Sequence, residues 1–120
     1  MATILIIEGE EQICRVLRMA LEDAGYEVRQ APNGRIGLTM YREKPTDLVI
    51  TDIFMAEING LDTLLELTRE FLDTKVIAIT GPKSEKDLLQ VAKLLGARQI
   101  LQKPFTAEKL LGAVKYELAH

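Results

Sequence analysis

Five short strand-like runs, most of them apolar, punctuate this chain, each too brief for a helix, and the stretches between them repeat their apolar residues at helical spacing. Few folds accommodate that alternation. Thr3 to Ile7 is a β-branched run suited to a strand buried on both faces. Ile13, Leu17, Ala20, Leu21 and Ala24 then recur as one face of a helix, and Gly25 reads as its stop. Glu27 to Gln30 is a second strand whose polarity places it at a sheet edge. Asn33-Gly34 opens a helix with Ile36, Leu38, Met40 and Tyr41 as apolar positions, ending near Lys44-Pro45 because proline cannot continue it. Asp47 to Asp52 forms the third strand. Asn59 is a good cap for a helix anchored by Leu61, Leu64, Leu65 and Phe71. Lys75 to Thr80 is the fourth strand, turned out by Gly81-Pro82. Leu88, Val91, Ala92 and Leu95 define a fourth helix stopped at Gly96. Arg98 to Gln102 is the fifth strand, followed by Lys103-Pro104. Thr106 caps a last helix with Leu110, Leu111, Val114 and Leu118 facing inward.

Alternation of this kind implies an α/β fold: a parallel sheet with helices on both faces, in one domain over residues 1–120. In open sheets of this type, ligands bind beyond the carboxyl ends of the strands. That rim collects Glu8 and Glu10 after the first strand, Asp52 at the end of the third, Thr80 at the end of the fourth and Lys103 after the fifth. Neighbouring acids can hold a hard cation, Mg²⁺ above all, through a few carboxylates and waters. A carboxylate beside it can attack phosphorus, while a hydroxyl and an ammonium hold the remaining oxygens.

Scarcity narrows the chemistry further. The sole histidine is His120, the last residue, which argues against Ser-His-Asp, Cys-His and histidine–zinc chemistry. Neither common nucleotide-binding loop is present. Cys14 is alone, so no internal disulfide forms and a reducing, cytoplasmic setting is expected. Cys14 itself, at the border of the first helix's apolar face, reads as a structural thiol. Net charge is −3, with a pI near 5.2, so no nucleic-acid partner is expected through this domain. No run approaches the ~20 apolar residues of a membrane span, and the start shows no signal-peptide pattern.

The pieces on which a family resemblance rests are Ile4-Leu5-Ile6-Ile7-Glu8-Gly9-Glu10, Leu48-Val49-Ile50-Thr51-Asp52-Ile53-Phe54-Met55, Asn59-Gly60, Ile77-Ala78-Ile79-Thr80, Gly96-Ala97 and Gln102-Lys103-Pro104-Phe105. In order and spacing, over essentially the whole chain, they resemble the receiver domain of two-component response regulators. The resemblance implies a flavodoxin-like sheet of strand order 2-1-3-4-5. Asp52 would be the phosphoacceptor, Thr80 the hydroxyl that follows the phosphoryl group, and Lys103 the phosphate-contacting lysine, with a cis bond to Pro104. It also implies Mg²⁺ held by Asp52, by Glu8 and Glu10, and by the backbone carbonyl of Phe54. The phosphoryl donor would be a histidine kinase or phosphotransfer protein. The chain would be no enzyme beyond assisting its own phosphorylation and dephosphorylation.

Several positions depart from the family pattern. Receivers usually end the first strand with two aspartates, and here Glu8 and Gly9 stand there, so one metal-binding carboxylate is lost at Gly9. The loop Met55-Ala56-Glu57-Ile58-Asn59-Gly60 lacks the usual proline. Ile100 occupies the aromatic switch position. Phe54 and Pro82, at positions that tune phosphoryl lifetime in relatives, offer no acid or amide to orient water, so slow hydrolysis is expected. Loss of the carboxylate at Gly9 leaves an alternative, a pseudo-receiver that serves as an interaction module with impaired Mg²⁺-dependent phosphorylation. Aspartate-nucleophile phosphatases need a second aspartate where Phe54 stands. A flavin binder is disfavoured because Glu8-Gly9-Glu10 would repel a flavin phosphate. Leu89, Leu94 and Ile100 suggest an apolar face over the fourth helix and fifth strand, suited to a second copy or an output partner.

Overall fold

The structure is a computed structural model, and residues 1–53, 60–81 and 86–120 are described. Strands and helices alternate along the chain: β1 (Thr3–Ile7), α1 (Glu11–Asp23), β2 (Glu27–Ala31), α2 (Gly34–Glu43), β3 (Leu48–Asp52), α3 (Gly60–Glu70), β4 (Val76–Thr80), α4 (Lys86–Leu94), β5 (Gln99–Gln102) and α5 (Ala107–Ala119). The Asn59 cap, the Phe54 carbonyl and ring, the Pro82 turn and the side chains of Leu88 and Leu89 lie outside the described residues.

All pairings are parallel, in the order β2-β1-β3-β4-β5. Because side chains alternate across a strand, each central strand feeds two cores. Ile4 and Ile6 of β1, with Ile50 and Ile77, pack under Leu17 and Leu21 of α1 and Leu110 and Val114 of α5. Leu5 and Ile7, with Val49 and Ala78, pack under Leu38 of α2, Leu64 and Leu67 of α3 and Ala92 of α4. β3 and β4 are buried along their whole length, which explains why their sequences are near-continuous apolar runs. β2, buried only at Val28 and Ala31, lies at the edge its polarity indicated.

The helix ends follow the sequence signals. Asn33 Oδ1 accepts from the Ile36 N–H at 2.9 Å, and Thr106 Oγ1 accepts from the Lys109 N–H at 3.1 Å. Gly25 and Gly96 close α1 and α4 with φ of 95° and 114°, a left-handed turn that glycine enters without steric cost.

Three apolar positions expected on the inner faces of helices are on the surface among the described residues. Ile36 is 42% exposed, Val91 is 39% exposed, and Ala24, just past the end of α1, is exposed as well. In α2 the reason is a close approach: Gly37 faces β1, and a Cβ there would lie 2.5 Å from Ile7 Cδ1. The helix therefore turns a glycine, not an isoleucine, to the sheet. At its start a Cβ on Gly34 would overlap the Thr63 side chain of α3, so the α2 backbone lies directly against that side chain. In α4 the buried position is Ala92, and Val91 lies on its flank.

Candidate functional site

The strand order reverses between β1 and β3: the chain leaves β1 for β2 on one side and returns to β3 on the other. Ile7 and Thr51 are register partners, so the next residues, Glu8 and Asp52, emerge side by side at the carboxyl ends. This is the crevice where such sheets bind ligands. Asp52 is 5% exposed, and the following Ile53 N–H still bonds Ile79 O at 3.0 Å, which extends the sheet past the carboxylate and fixes its height.

Glu8 is equally buried. Its backbone N–H donates to Ala31 O at 3.0 Å, and its Oε1 accepts from the Glu10 N–H at 3.1 Å, so both ends of the residue are held. Burial raises its carboxyl from the usual 4.5 to about 7, against the lowering effect of the Glu10 N–H. The neighbouring Asp52 charge, and the hydrogen bond a protonated Glu8 shares with Asp52, push the same way, and Lys103 opposes them. The other oxygen, Oε2, has no hydrogen-bond partner among the described residues when ionised and lies 3.9 Å from Lys103 Nζ.

Lys103 follows β5 on a short turn whose Lys103–Pro104 bond is cis. Its N–H donates to Thr80 O at 2.9 Å, and its Nζ donates to Asp52 Oδ2 at 3.0 Å. One ammonium therefore sits between two buried carboxylates. Thr80, fully buried at the end of β4, is one residue beyond Ile79, the register partner of Asp52. Its Oγ1 has no hydrogen-bond partner among the described residues. A buried hydroxyl left in that state costs about 1–3 kcal/mol, a cost repaid if an incoming group supplies an acceptor.

Of the rim residues singled out in the sequence, the side chains of Glu8, Asp52 and Lys103 come together, and Thr80 is tied to them through the bond from the Lys103 N–H to its carbonyl. Glu10 does not join them: its side chain is exposed at the start of α1, and its contribution is the backbone N–H that holds Glu8. Gly9 is exposed beside them, with a backbone any residue can adopt. Ile100 is half-buried against the α2–α4 core. Cys14 is buried in α1, its thiol pushed up by burial and then by Glu8. Among the described residues no three metal-type side chains converge. The bridging place of Lys103 had no signal in the sequence, because it depends on how β1, β3 and β5 end relative to one another.

The parallel 2-1-3-4-5 sheet, with acids and an ammonium gathered at its switch point, can be set beside known proteins. Residues 4–115 match the response regulator receiver domain family. This chain belongs to that family. The uncharacterized transcriptional regulatory protein YkoG of Bacillus subtilis is 38% identical over 116 residues, covering 96% of the receiver and 50% of YkoG. Response regulator ArlR of Staphylococcus epidermidis is 34% identical, with 96% and 52% covered. The receiver thus spans about half the length of these curated relatives. Among solved structures, a response regulator receiver domain from Clostridium thermocellum superposes with a TM-score of 0.93 at 33% identity, covering 99% of the receiver and 95% of that chain. The chemotaxis protein CheY4 of Vibrio cholerae superposes at 0.89 with 27% identity, covering 97% and 98%. No helix among the described residues is long and apolar enough to cross a membrane.

Proposed function

We propose that this receiver takes a phosphoryl group onto Asp52 from the phosphohistidine of a kinase or phosphotransfer protein in the cytoplasm, and signals by the rearrangement that follows. The observation that carries the reading is the Lys103 ammonium 3.0 Å from Asp52, with Thr80, one residue beyond the register partner of Asp52, carrying a buried hydroxyl that has no hydrogen-bond partner among the described residues. An Asp52 oxygen attacks phosphorus in line. The phosphorus–oxygen bond forms as the phosphorus–nitrogen bond breaks, and the imidazole leaves with its electron pair and takes up a proton. Lys103 stays beside the oxygens that gain charge, and Thr80 gains the acceptor it lacks. No other side chain is needed as a base, since a carboxylate is already the nucleophile.

The residues present fit Mg²⁺ as a two-carboxylate site: Asp52 and Glu8 are adjacent, and Glu8 Oε2 is without a hydrogen-bond partner. Mg²⁺ commonly needs no more than one or two carboxylates, completing its shell with water and phosphate. When bound it would neutralise charge on the transferred group. The Phe54 carbonyl assigned to it from the family pattern lies outside the described residues. Gly9 supplies no carboxylate, so weak affinity is expected.

Intact-mass measurement after incubation with acetyl phosphate tests the reading. The expected result is a gain of one phosphoryl group that needs Mg²⁺ and is absent in Asp52→Asn. No gain at any Mg²⁺ concentration would overturn it.

A further inference from the structure

We propose that two copies of this receiver join edge to edge through β2, antiparallel about a two-fold axis at Val28, so that their two sheets become one. Among the described residues, β2 pairs with β1 alone. The Glu27 N–H donates to Ala2 O, and Ala31 O accepts from the Glu8 N–H, both at 3.0 Å. Main-chain groups alternate along a parallel ladder, so Glu27, Arg29 and Ala31 turn theirs to β1. Val28 and Gln30 turn theirs outward, and such a row is a template for another strand.

Charge selects the occupant. Val28 packs into the core under α1, so Glu27 and Arg29 lie on the other side of the sheet, with Ala31. Arg29 Nη1 donates to Lys44 O at 3.0 Å, which holds the guanidinium without neutralising it. Neither Glu27 nor Arg29 makes an ion pair among the described residues. On the α1 side, Arg18 reaches Gln30 at 3.1 Å and is already paired with Glu22 at 3.2 Å. The edge therefore offers one unpaired acid and one unpaired base, two residues apart, which is a pattern complementary to itself when reversed.

The same charges fix the register. With the axis at Val28, the two Val28 residues exchange both of their outward main-chain bonds. Glu27 of each copy then stands directly opposite Arg29 of the other, at a non-hydrogen-bonded position where side chains are closest. An axis at Glu27 would set Glu27 against Glu27, and an axis at Arg29 would set Arg29 against Arg29. Charges on an edge strand commonly block pairing. Here their order blocks the neighbouring registers and admits one, and the two-fold contact closes at a dimer.

Sedimentation equilibrium up to millimolar receiver, with amide hydrogen exchange, tests the pairing. A monomer–dimer equilibrium is expected, with slower exchange of the Val28 and Gln30 amides on association. Glu27→Arg and Arg29→Glu should each weaken self-association at least about tenfold, equivalent to about 1.4 kcal/mol, because two attractive pairs become repulsive. Mixed in equal amounts, the two variants should form a heterodimer as tight as the parent dimer, since each copy presents the charge the other lacks. Arg29→Glu also loses the bond to Lys44 O. Should it fail to fold, Gln30→Pro carries the test: it removes an N–H that β1 does not use, and it should abolish the dimer while circular dichroism stays unchanged. The proposal is overturned if the receiver stays monomeric at millimolar concentration, or if association protects amides of α4 and β5 instead. Dimers of undiminished strength in Glu27→Arg or Gln30→Pro, or a mixture of folded charge variants that stays monomeric, would also overturn it. Asp52 plays no part in the pairing, so phosphoryl transfer can fail while the dimer stands, and the reverse.

Discussion

Glu8 lies one residue past β1, buried beside Asp52, with its carboxyl raised from 4.5 to about 7 by that burial and by the Asp52 charge. A raised acid pKa means the folded state holds the proton more tightly than the unfolded chain. Its favourable share is therefore complete below about pH 4.5 and is lost as pH rises through about 7. Glu8→Gln removes that loss. In metal-free buffer the variant should gain stability over the parent by about 1–3 kcal/mol between pH 5 and pH 8, read from urea unfolding at the two values. A pH-independent difference would mean that Glu8 is not desolvated as described. Gly9 makes the complementary case. A Cβ there meets Pro32 O at 3.5 Å, ordinary contact, and the backbone is not left-handed, so nothing in the fold excludes a side chain. Gly9→Asp should fold normally and raise Mg²⁺ affinity by about tenfold, roughly 1.4 kcal/mol, in calorimetric titration. Unchanged affinity would remove Gly9 from the metal site. Asp52, Thr80 and Lys103 were legible in the sequence because each ends or follows an apolar run. The bridge that Lys103 makes to Glu8 was not, since it rests on a 3.9 Å approach between the ends of β1 and β5.

At the scale of elements, periodicity carried nearly everything. β1, β3 and β4 were readable because both of their faces are buried, and the helices because one face of each is. α2 is the instructive exception. Its pattern offers Ile36 to the core, but the contact with β1 is made by Gly37, and a pattern of apolar positions cannot announce a helix that approaches at backbone distance. Gly37→Ala should destabilise the receiver by about 1–3 kcal/mol through overpacking, measured by urea unfolding, despite alanine's better helix propensity. If it stabilises instead, Ile7 has room to give. Because Ile7 directly precedes Glu8, the variant is also expected to bind Mg²⁺ more weakly. Glu117 was likewise invisible: on α5 it reads as a solvated charge, and its bond from Gln99 on β5, with Arg98 3.7 Å away, explains its burial.

For the molecule as a whole, the decisive fact is that two cores share one sheet. Ile4 and Ile6 serve one side and Leu5 and Ile7 the other, from the same five-residue strand. Neither layer can lose its packing while the other keeps its floor. Unfolding should therefore be a single transition, with near- and far-ultraviolet circular dichroism superimposable across a urea titration. Separated midpoints would show that the helical layers are energetically independent. The strand order also puts the switch point, and hence Glu8 and Asp52, near the centre of the sheet, with its edges at β2 and β5. The hydrogen bond from the Lys103 N–H to Thr80 O has a consequence of its own. It ties the residue that carries the ammonium to the end of β4. A disturbance that drags the end of β5 outward therefore pulls on the Thr80 backbone as well as on the ammonium beside Asp52.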